Sequence, residues 1–423
     1  MNTTRKTNFI NNFFVFILLI YAGRASVFVR SVDTFENIYG LLFIIISVLL
    51  FSIYHKVGLK NSLVYLIAGF SLYFTFSTFK FNEFHPRFYF IYFISFYIAY
   101  VLINSLKYYF FLIFENVLVQ LCKISIGFWI ILIFFPSTLY QLFDSIAFLT
   151  PGTEGIASNI IFYTLNSESI TEKVNFIYGN QSIYRNAGFS WEPGGFAVLI
   201  NLGMFINMIR YRFSIKNNKN IWILLLALIT TFSTTGYGIF VILILFYFYN
   251  NKSKYKGLLF PIFIALGIYL LSLPFMIDKV INNSDNNIDD QVESSLLYGG
   301  HKTPQRLNSF LIDFQDFTNN PILGYGGHQD ERWTSKLGAD ISTISGIGKV
   351  FAVFGLVGAI FFFTLLYKSS KLFALHYNFK GWIFLFLMIS MISISYSLIF
   401  NPLLMCFWMC VLFLPKTKTV RLL

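Results

Sequence analysis

The sequence contains few charged residues for its length. Of 423 residues, 12% are Asp, Glu, Lys or Arg and 56% are hydrophobic. A soluble domain carries roughly twice that charged fraction, and the mean hydropathy of +0.66 points the same way. Apolar runs such as 39–54 and 349–367 approach the ~20 residues needed to cross ~30 Å of hydrocarbon. We therefore predict an all-α polytopic integral membrane protein and exclude a soluble globular domain.

Cysteine is nearly absent. Cys122, Cys406 and Cys410 lie in or beside apolar segments, so we expect no disulfide. Two thiols at i, i+4 spacing without a nearby histidine make a poor zinc site. The sequence also lacks the phosphate-binding G-x-x-x-x-G-K-[ST] motif, the metalloprotease H-E-x-x-H motif and any internal repeat of 20–50 residues. We expect no metal and no cofactor.

The hydropathy pattern predicts about twelve transmembrane helices in a single polytopic domain spanning 1–423. No small-residue cleavage site follows the first span, so we expect it to be retained. The predicted spans are 8–23, 38–54, 61–79, 88–104, 124–140, 195–209, 221–233, 237–250, 258–275, 346–367, 381–397 and 398–414.

The net charge of +12 is distributed unevenly. In the predicted topology one side has only short loops, in which Glu115 is the only acid. Short loops rich in Lys and Arg mark the cytoplasmic side, so both termini should be cytoplasmic. Orientation and contact with lipid headgroups account for the basic excess, and no nucleic-acid partner is expected. The basic residues on this side include Arg5, Lys6, Lys56, Lys60, Lys107, Lys123, Arg210, Arg212, Lys219, Lys368, Lys380 and Lys416.

Two segments on the opposite side, 141–194 and 276–345, are too long to be simple connectors. Both contain apolar residues, which favours ordered, partly amphipathic structure lying on the membrane. Within the second segment, Asp285, Asp289 and Asp290 lack the alternation of an EF-hand loop. A solvated charge run is the favoured interpretation there, and a divalent cation site is the alternative.

The stretch S-I-Y-R-N-A-G-F-S-W-E-P-G-G-F-A, 182–197, places a cation and an anion where a span begins. Pro193 suits a first helical turn, so the span should start here with Glu192 near its N-cap. A helix N-terminus together with Arg185 would bind a phosphate, and Gly188 permits a sharp turn between them. Glu192 would then accept a proton from an incoming hydroxyl. The alternative is a structural Arg185–Glu192 ion pair with Glu192 as an ordinary cap.

The second long segment ends in a comparable group of residues. Apolar residues between 307 and 317 recur at helical spacing after Arg306. The run 319–321, Asn-Asn-Pro, should stop this helix, and three glycines before His328 should form a flexible turn.

Together these motifs resemble the O-antigen and capsular polysaccharide polymerase family, within the wider group that includes the O-antigen ligases. Such proteins have about a dozen spans, a GT-C-like arrangement and two large extracytoplasmic loops. The resemblance runs from about 180 to about 365. The matching residues are Arg185-Asn-Ala-Gly188 with F-S-W-E-P-G-G-F-A, Arg306, Asn320-Pro321-Ile-Leu-Gly324-Tyr-Gly326 and Gly355-Leu-Val-Gly358.

The resemblance implies a metal-independent glycosyltransferase in the bacterial cytoplasmic membrane. It would polymerise undecaprenyl-diphosphate-linked oligosaccharide repeat units at the outer face, in contact with membrane lipids and a possible chain-length regulator protein. Arg185 and Arg306 would stabilise the departing diphosphate, and Glu192 would activate the acceptor, with His328 in reserve. The candidate substrate-binding residues are Gly188, Trp191, Tyr325, Arg332 and Trp333; anchoring at the headgroup level is the other interpretation of the aromatic ones.

Three other functions stay open. An O-antigen ligase would differ only in its acceptor, a lipid A core or a protein. The turn at 233–238 lacks the basic residue that relatives often carry, and the surroundings of His328 do not match those of the ligase histidine, which favours a polymerase. A lipid-linked oligosaccharide flippase would need charged residues at mid-membrane depth or repeated halves. A structural membrane protein would leave the charged loop termini unexplained.

Overall fold

The structure of the chain is a computed structural model. It describes residues 2–24, 38–145, 162, 173–175, 182–216, 218–251, 261, 292–293, 295–297, 303–304 and 306–414. These residues are mostly helical, with a single pair of short strands among them. Predicted span 258–275, apart from Pro261, and the segment 276–291 lie outside the described residues.

Six described helices precede the strand pair. They are α1 (Asn2–Ala22), α2 (Ile38–Tyr54), α3 (Asn61–Phe81), α4 (Pro86–Leu106), α5 (Tyr109–Phe134) and α6 (Pro136–Asp144). Strands β1 (Lys173–Asn175) and β2 (Ser182–Tyr184) pair antiparallel, with Val174 opposite Ile183.

Eight further α-helices have defined bounds among the described residues that follow the strand pair. They are α7 (Pro193–Arg210), α8 (Lys219–Thr230), α9 (Thr234–Asn250), α10 (Arg306–Asn319), α11 (Trp333–Lys336), α12 (Gly346–Tyr377), α13 (Ile383–Ser395) and α14 (Pro402–Trp408). Short 3₁₀ helices lie at Gln329–Glu331, Ser397–Phe400 and Cys410–Leu412. Side-chain caps from Ser233, Ser345 and Asn401 start α9, α12 and α14, as their sequences favour.

Five helices among the described residues are long and apolar enough to cross a membrane: 61–81, 88–106, 109–134, 193–210 and 346–377. Shorter apolar helices cover 9–22, 39–54, 219–230, 234–250 and 383–395. The predicted class of an all-α, multi-pass membrane protein agrees with this architecture. The number of twelve crossings and the two large outer loops stay predictions.

Two predicted spans differ from the helices observed. The span expected at 124–140 is α5, which begins at Tyr109 and ends before Pro136, since proline cannot continue an α-helix. Glu115 and Lys123, expected in a loop, therefore lie within α5; Glu115 is fully buried and bonds to Arg210, with Oε2 2.6 Å from Nη1. The span expected at 398–414 is α14 flanked by two 3₁₀ turns, because Pro402 restarts the helix after Asn401.

Helix α7 is the centre of the bundle. Almost all of its side chains are buried, and it packs against α5, α8 and α9. A helix that is apolar on every side lies in a protein core or in a membrane, and the neighbouring helices bury this one. One of its two buried asparagines, Asn201, donates to the carbonyl oxygens of Ala197 (2.8 Å) and Gly236 (3.0 Å), which fixes α7 against α9.

The ends of the helices meet at two opposite ends of the bundle. The end at which α7 begins, called here the loop end, also holds the C-terminal ends of α1 and α8: Trp191 N donates to Gly23 O (2.8 Å) and Asn186 N to Thr230 O (2.9 Å). At the other end, Lys380 N donates to Asn250 Oδ1 (2.8 Å). In the predicted topology, α1 and α8 end on the side where α7 begins, as these contacts have it. Which end of the bundle faces the cytoplasm stays a prediction.

Helix α12 is broken at Gly355, whose φ of 61° and ψ of −157° are accessible essentially to glycine alone. The segment 321–326 fills the break. Tyr325 N and Gly326 N donate to the carbonyl oxygens of Ala352 (2.8 Å) and Val353 (2.9 Å), and Leu356 N donates to Pro321 O (2.8 Å). Backbone groups freed by a break in an apolar helix must find such partners. The glycine turn at 324–327 thus packs against the part of α12 that contains the G-x-x-G motif, 355–358.

We expect Gly355→Ala to lower the apparent melting temperature of the protein in detergent. A Cβ there would overlap the carbonyl group of Ile322, and the backbone conformation itself would cost roughly 1–3 kcal/mol. Gly69→Ala in α3 is the matched control, because a Cβ there meets nothing within 4 Å. A Gly355 variant as stable as the Gly69 variant would contradict the described break.

Candidate active site

Arg185 is held at the loop end by its own segment and by the end of α8. Its Nε donates to Thr231 O (3.1 Å), and Asn186 Nδ2 donates to Thr230 Oγ1 (3.0 Å). Gly188 makes the turn that follows, with a φ of 57°, and a Cβ there would lie 2.7 Å from the ring of Phe196. The predicted turn at Gly188 is confirmed; its contact with substrate stays a prediction.

Glu192 occupies the N-cap position of α7 with extended backbone angles, and its side chain makes no capping hydrogen bond. Its Oε1 lies 4.0 Å from Nη2 of Arg306, and the side chain is 45% exposed. Glu192 is therefore not an ordinary cap; the Arg185–Glu192 ion pair, the other part of the structural alternative, stays open. The carboxylate lies beside the helix N-terminus and remains open to solvent.

Arg306, at the start of α10, reaches across to the end of α13. Its Nε donates to Ser395 O (3.0 Å), its Nη2 donates to the Tyr396 hydroxyl, and its guanidinium carbon lies 4.6 Å from the centre of the Tyr396 ring. The side chain is 28% exposed. Two hydrogen bonds to the C-terminal end of α13 thus hold the guanidinium of Arg306 in place, and part of the side chain stays accessible to solvent.

Tyr396 and Gly194 complete this group, and neither was predicted from the sequence. A Cβ on Gly194 would overlap the Tyr396 hydroxyl and lie 3.4 Å from Nη2 of Arg306. Only glycine in the first turn of α7 allows the tyrosine to approach the helix N-terminus this closely. The available signal was a polar Ser-Tyr pair at the end of an apolar span, beside Asn401-Pro402.

The electrostatics of the group favour an anion. Burial lowers the pKa of Arg185, and Arg306 lowers it further, whereas Tyr396 and Glu192 raise it. An arginine stays protonated through such changes. Arg185 and Arg306 therefore both interact electrostatically with Glu192 at the N-terminus of α7. Guanidinium groups and a helix N-terminus are groups that bind a phosphate or diphosphate.

His328 belongs to a different cluster. Its buried ring lies 4.5 Å from that of His85 and 4.7 Å from that of Phe81, measured between centroids. Its Nδ1 is 3.5 Å from Oε2 of Glu83. The described contacts of His328 connect it to the α3–α4 turn, not to Arg185 or Arg306, and its predicted reserve role in catalysis stays a prediction. Two imidazoles and a carboxylate are also the side chains here that could hold a metal ion.

Arg332 is bound inside the second loop. Its Nε donates to Asp316 Oδ2 (3.0 Å) and its Nη1 to Ile341 O (2.7 Å), while Nη2 lies 3.7 Å from Asp313 Oδ1. Burial raises the pKa of Asp313 to about 7. These contacts make Arg332 the cation that joins α10 to the chain before α12, and its predicted contact with substrate stays a prediction.

The aromatic candidates lie at different depths. Tyr325 is buried under the guanidinium of Arg332 (5.8 Å to the ring centre) and packs in an apolar cluster with Phe354. Trp333 is partly buried, and its Nε1 donates to Ile312 O (3.2 Å). Trp191 is partly exposed next to Glu192. Of the three, Trp191 is the neighbour of Glu192 in the sequence; stacking on sugars stays a prediction for all of them.

The comparisons with known proteins add nothing to this geometry: no protein-family model, no curated protein and no solved structure matches the chain. The architecture and the site define a class, an all-α membrane protein with two arginines and a glutamate near one helix N-terminus at the loop end of its bundle.

We expect Arg332→Ala to reduce the free energy of unfolding by about 3–5 kcal/mol, because it leaves the carboxylate of Asp316 buried without the guanidinium that pairs with it. Thermal or denaturant unfolding in detergent measures the loss. Lys336→Ala is the control: its pair with Glu331 is exposed, and such pairs contribute about 0–1 kcal/mol. Equal effects of the two substitutions would refute the structural role of Arg332.

Proposed function

We propose that this protein is a membrane glycosyltransferase that polymerises lipid-linked oligosaccharide repeat units into O-antigen or capsular polysaccharide at the outer face of the bacterial cytoplasmic membrane. The observation that carries the proposal is the convergence of Arg185, Arg306 and the N-terminus of α7 around Glu192 at the loop end. The resemblance of the sequence to the polymerase family supports the same function.

The substrate class follows from the charge and from the position of the site. Two guanidinium groups and a helix N-terminus match a diphosphate, which carries its charge on adjacent phosphoryl groups. The site lies where apolar helices end, so a diphosphate held there can leave a long polyprenyl chain in the hydrocarbon beside it. Undecaprenyl diphosphate bearing a glycan has this combination of a charged head and an apolar tail.

The proposed step is a displacement at the anomeric carbon of the growing glycan. The hydroxyl oxygen at the non-reducing end of a new lipid-linked unit forms a bond to this carbon. The bond from the carbon to the diphosphate oxygen breaks, and undecaprenyl diphosphate leaves with the electron pair. Arg185 and Arg306 stabilise the charge that develops on the leaving oxygen, and their fixed hydrogen bonds mean that little reorganisation is needed.

Glu192 is the proposed general base. Its carboxylate is exposed, lies beside Arg306 and makes no capping hydrogen bond, so an acceptor hydroxyl can reach it. The proton of that hydroxyl passes to the carboxylate as the new glycosidic bond forms. The Tyr396 hydroxyl, which interacts with both Glu192 and Arg306, positions the two groups relative to each other.

An O-antigen ligase would use the same donor and would differ in its acceptor. The two activities give different products in a strain that lacks the gene. Loss of a polymerase leaves single repeat units on the cell surface, whereas loss of a ligase leaves long chains on the carrier lipid. Loss of a flippase would trap the lipid-linked units on the cytoplasmic side.

We expect Arg185→Lys and Arg306→Lys each to reduce the polymerisation rate by about 10²–10³-fold, because lysine keeps the charge but loses the planar fork of donors. Polysaccharide length on gels, in a deletion strain complemented with each variant, measures the effect. Lys336→Ala, an exposed cation of the second loop, is the control and should support normal chain length. Long-chain polysaccharide from both arginine variants, at normal membrane levels of protein, would end the proposal.

Glu192→Gln tests the base separately. We expect a decrease in turnover of roughly 10²–10⁴-fold with unchanged binding of the lipid-linked donor, since the amide cannot accept the proton. Assays with purified protein and lipid-linked repeat units separate turnover from binding. A variant with near-normal turnover would assign Glu192 to structure alone.

Gly194→Ala tests the arrangement around the first turn of α7. The added methyl group would displace the Tyr396 hydroxyl and crowd Arg306, so activity should fall while the protein remains folded. Gly127→Ala in α5 is the matched control, because its Cβ would meet nothing within 4 Å. Size-exclusion chromatography reports folding, and chain length reports activity; unchanged chain length would contradict the close approach of Tyr396.

A further inference from the structure

Three ionisable side chains from distant parts of the sequence meet where α3 turns into α4. Glu83 and His85 lie in that turn, and His328 follows the glycine turn of the second loop. Glu83 Oε2 is 3.3 Å from His85 Nε2 and 3.5 Å from His328 Nδ1, and one ligand atom from each residue lies within 4.8 Å of the others.

His328 is fully buried with incomplete hydrogen bonding. Its side chain has 0% exposure; its Nδ1 faces Glu83 Oε2 at 3.5 Å, and its Nε2 has no hydrogen-bond partner within the described part of the chain. The Nε2 of His85 is also buried, with the same Glu83 oxygen 3.3 Å away. Burying polar atoms with incomplete hydrogen bonding is costly, so two imidazoles gathered around one carboxylate indicate a ligand that they would bind.

The backbone around His328 holds the ring in place. Gly326 and Gly327 have φ values of 60° and 87°. A Cβ on Gly327 would lie 2.7 Å from the ring of Phe88, and one on Gly326 would overlap Ser77 Oγ. The chain can therefore approach α3 and α4 closely only with glycine at both positions, and this approach brings His328 to Glu83 and His85.

The distances fit a tetrahedral metal site. Zinc bonds of about 2.0–2.1 Å to nitrogen and oxygen place neighbouring ligand atoms about 3.3 Å apart. Two of the three pairs already have nearly this spacing. Glu83 is half exposed and His85 is partly exposed, so small side-chain movements can shorten the third distance, between the ring nitrogens of His85 and His328.

We propose that Glu83, His85 and His328 bind one zinc ion, with water as the fourth ligand. Two imidazoles and one carboxylate form a recognised zinc ligand set with one open position. The ion would join the α3–α4 turn to the second loop. The site is separate from the arginine cluster and does not depend on the proposed polymerase activity.

The test uses full-length protein purified in detergent, with any affinity tag removed and metal stripped by a chelator. Zinc titration by calorimetry should give one site per chain. Addition of Co²⁺ should give the absorption bands of a tetrahedral complex, because cobalt reports ligand geometry where zinc is silent. Glu83→Gln and His85→Gln change partly exposed side chains and should fold normally by size-exclusion chromatography.

We expect each of these two variants to weaken zinc binding by about 100-fold or more, since loss of even an outer-shell partner costs about 10–100-fold. His55→Gln is the matched control: His55 is a partly exposed histidine that bonds to Asn11 (2.9 Å), and its loss should leave the titration unchanged. Zinc binding that is equally strong in all four proteins, or absent from the unmodified one, would overturn the proposal and leave the cluster as an ion pair of Glu83 with histidine.

Discussion

The hydrogen bonds from two arginines to backbone carbonyl groups at helix ends hold the candidate site together. Arg185 bonds to Thr231 just beyond α8, and Arg306 bonds to Ser395 at the end of α13. Carbonyl groups at a helix C-terminus lack intrahelical partners and carry partial negative charge. The two cations therefore satisfy groups that the bundle would otherwise leave unpaired, and in doing so they lie close to the N-terminus of α7. The same hydrogen bonds thus stabilise the helix ends and fix the positions of the two cations.

The second loop separates its structural charges from its candidate functional ones. Arg332 is nearly enclosed, and its partners Asp313, Asp316 and Ile341 come from both sides of the loop. Arg306, in the same segment, is partly exposed and donates hydrogen bonds to a tyrosine hydroxyl and to one carbonyl group. A buried guanidinium with carboxylate partners stabilises the loop, whereas a fixed but accessible one can bind a ligand. The two arginines differ in burial, which cannot be read from the sequence.

The break in α12 explains why glycines recur in two distant segments. Gly355 permits the break, and Gly324 and Gly326, both at positive φ, allow 321–326 to follow the helix backbone closely enough to bond with it. Tyr73 of α3 fixes the junction, with its hydroxyl 2.6 Å from Leu323 O and 2.9 Å from Val353 O. The same turn then delivers His328 to the α3–α4 connection. One backbone irregularity thus organises both the entry of the second loop into the bundle and the histidine cluster.

The sequence by itself determined what depends on composition and on local pattern. Its apolar runs predicted an all-α membrane protein, Pro193 marked the start of α7, and Gly188 marked a turn. Only the tertiary structure decided which charged groups meet. Glu115 was assigned to a loop because its partner, Arg210, is 95 residues away, and an unpaired acid would not be tolerated in an apolar helix. Gly194 and the contact of His328 with Glu83 and His85 have no local signal, and Tyr396 has only the polar Ser-Tyr pair at the end of its span. Each depends on a close approach between segments far apart in sequence. Periodicity reports which face of a helix is buried, but the partner across the interface is set by packing of the whole bundle.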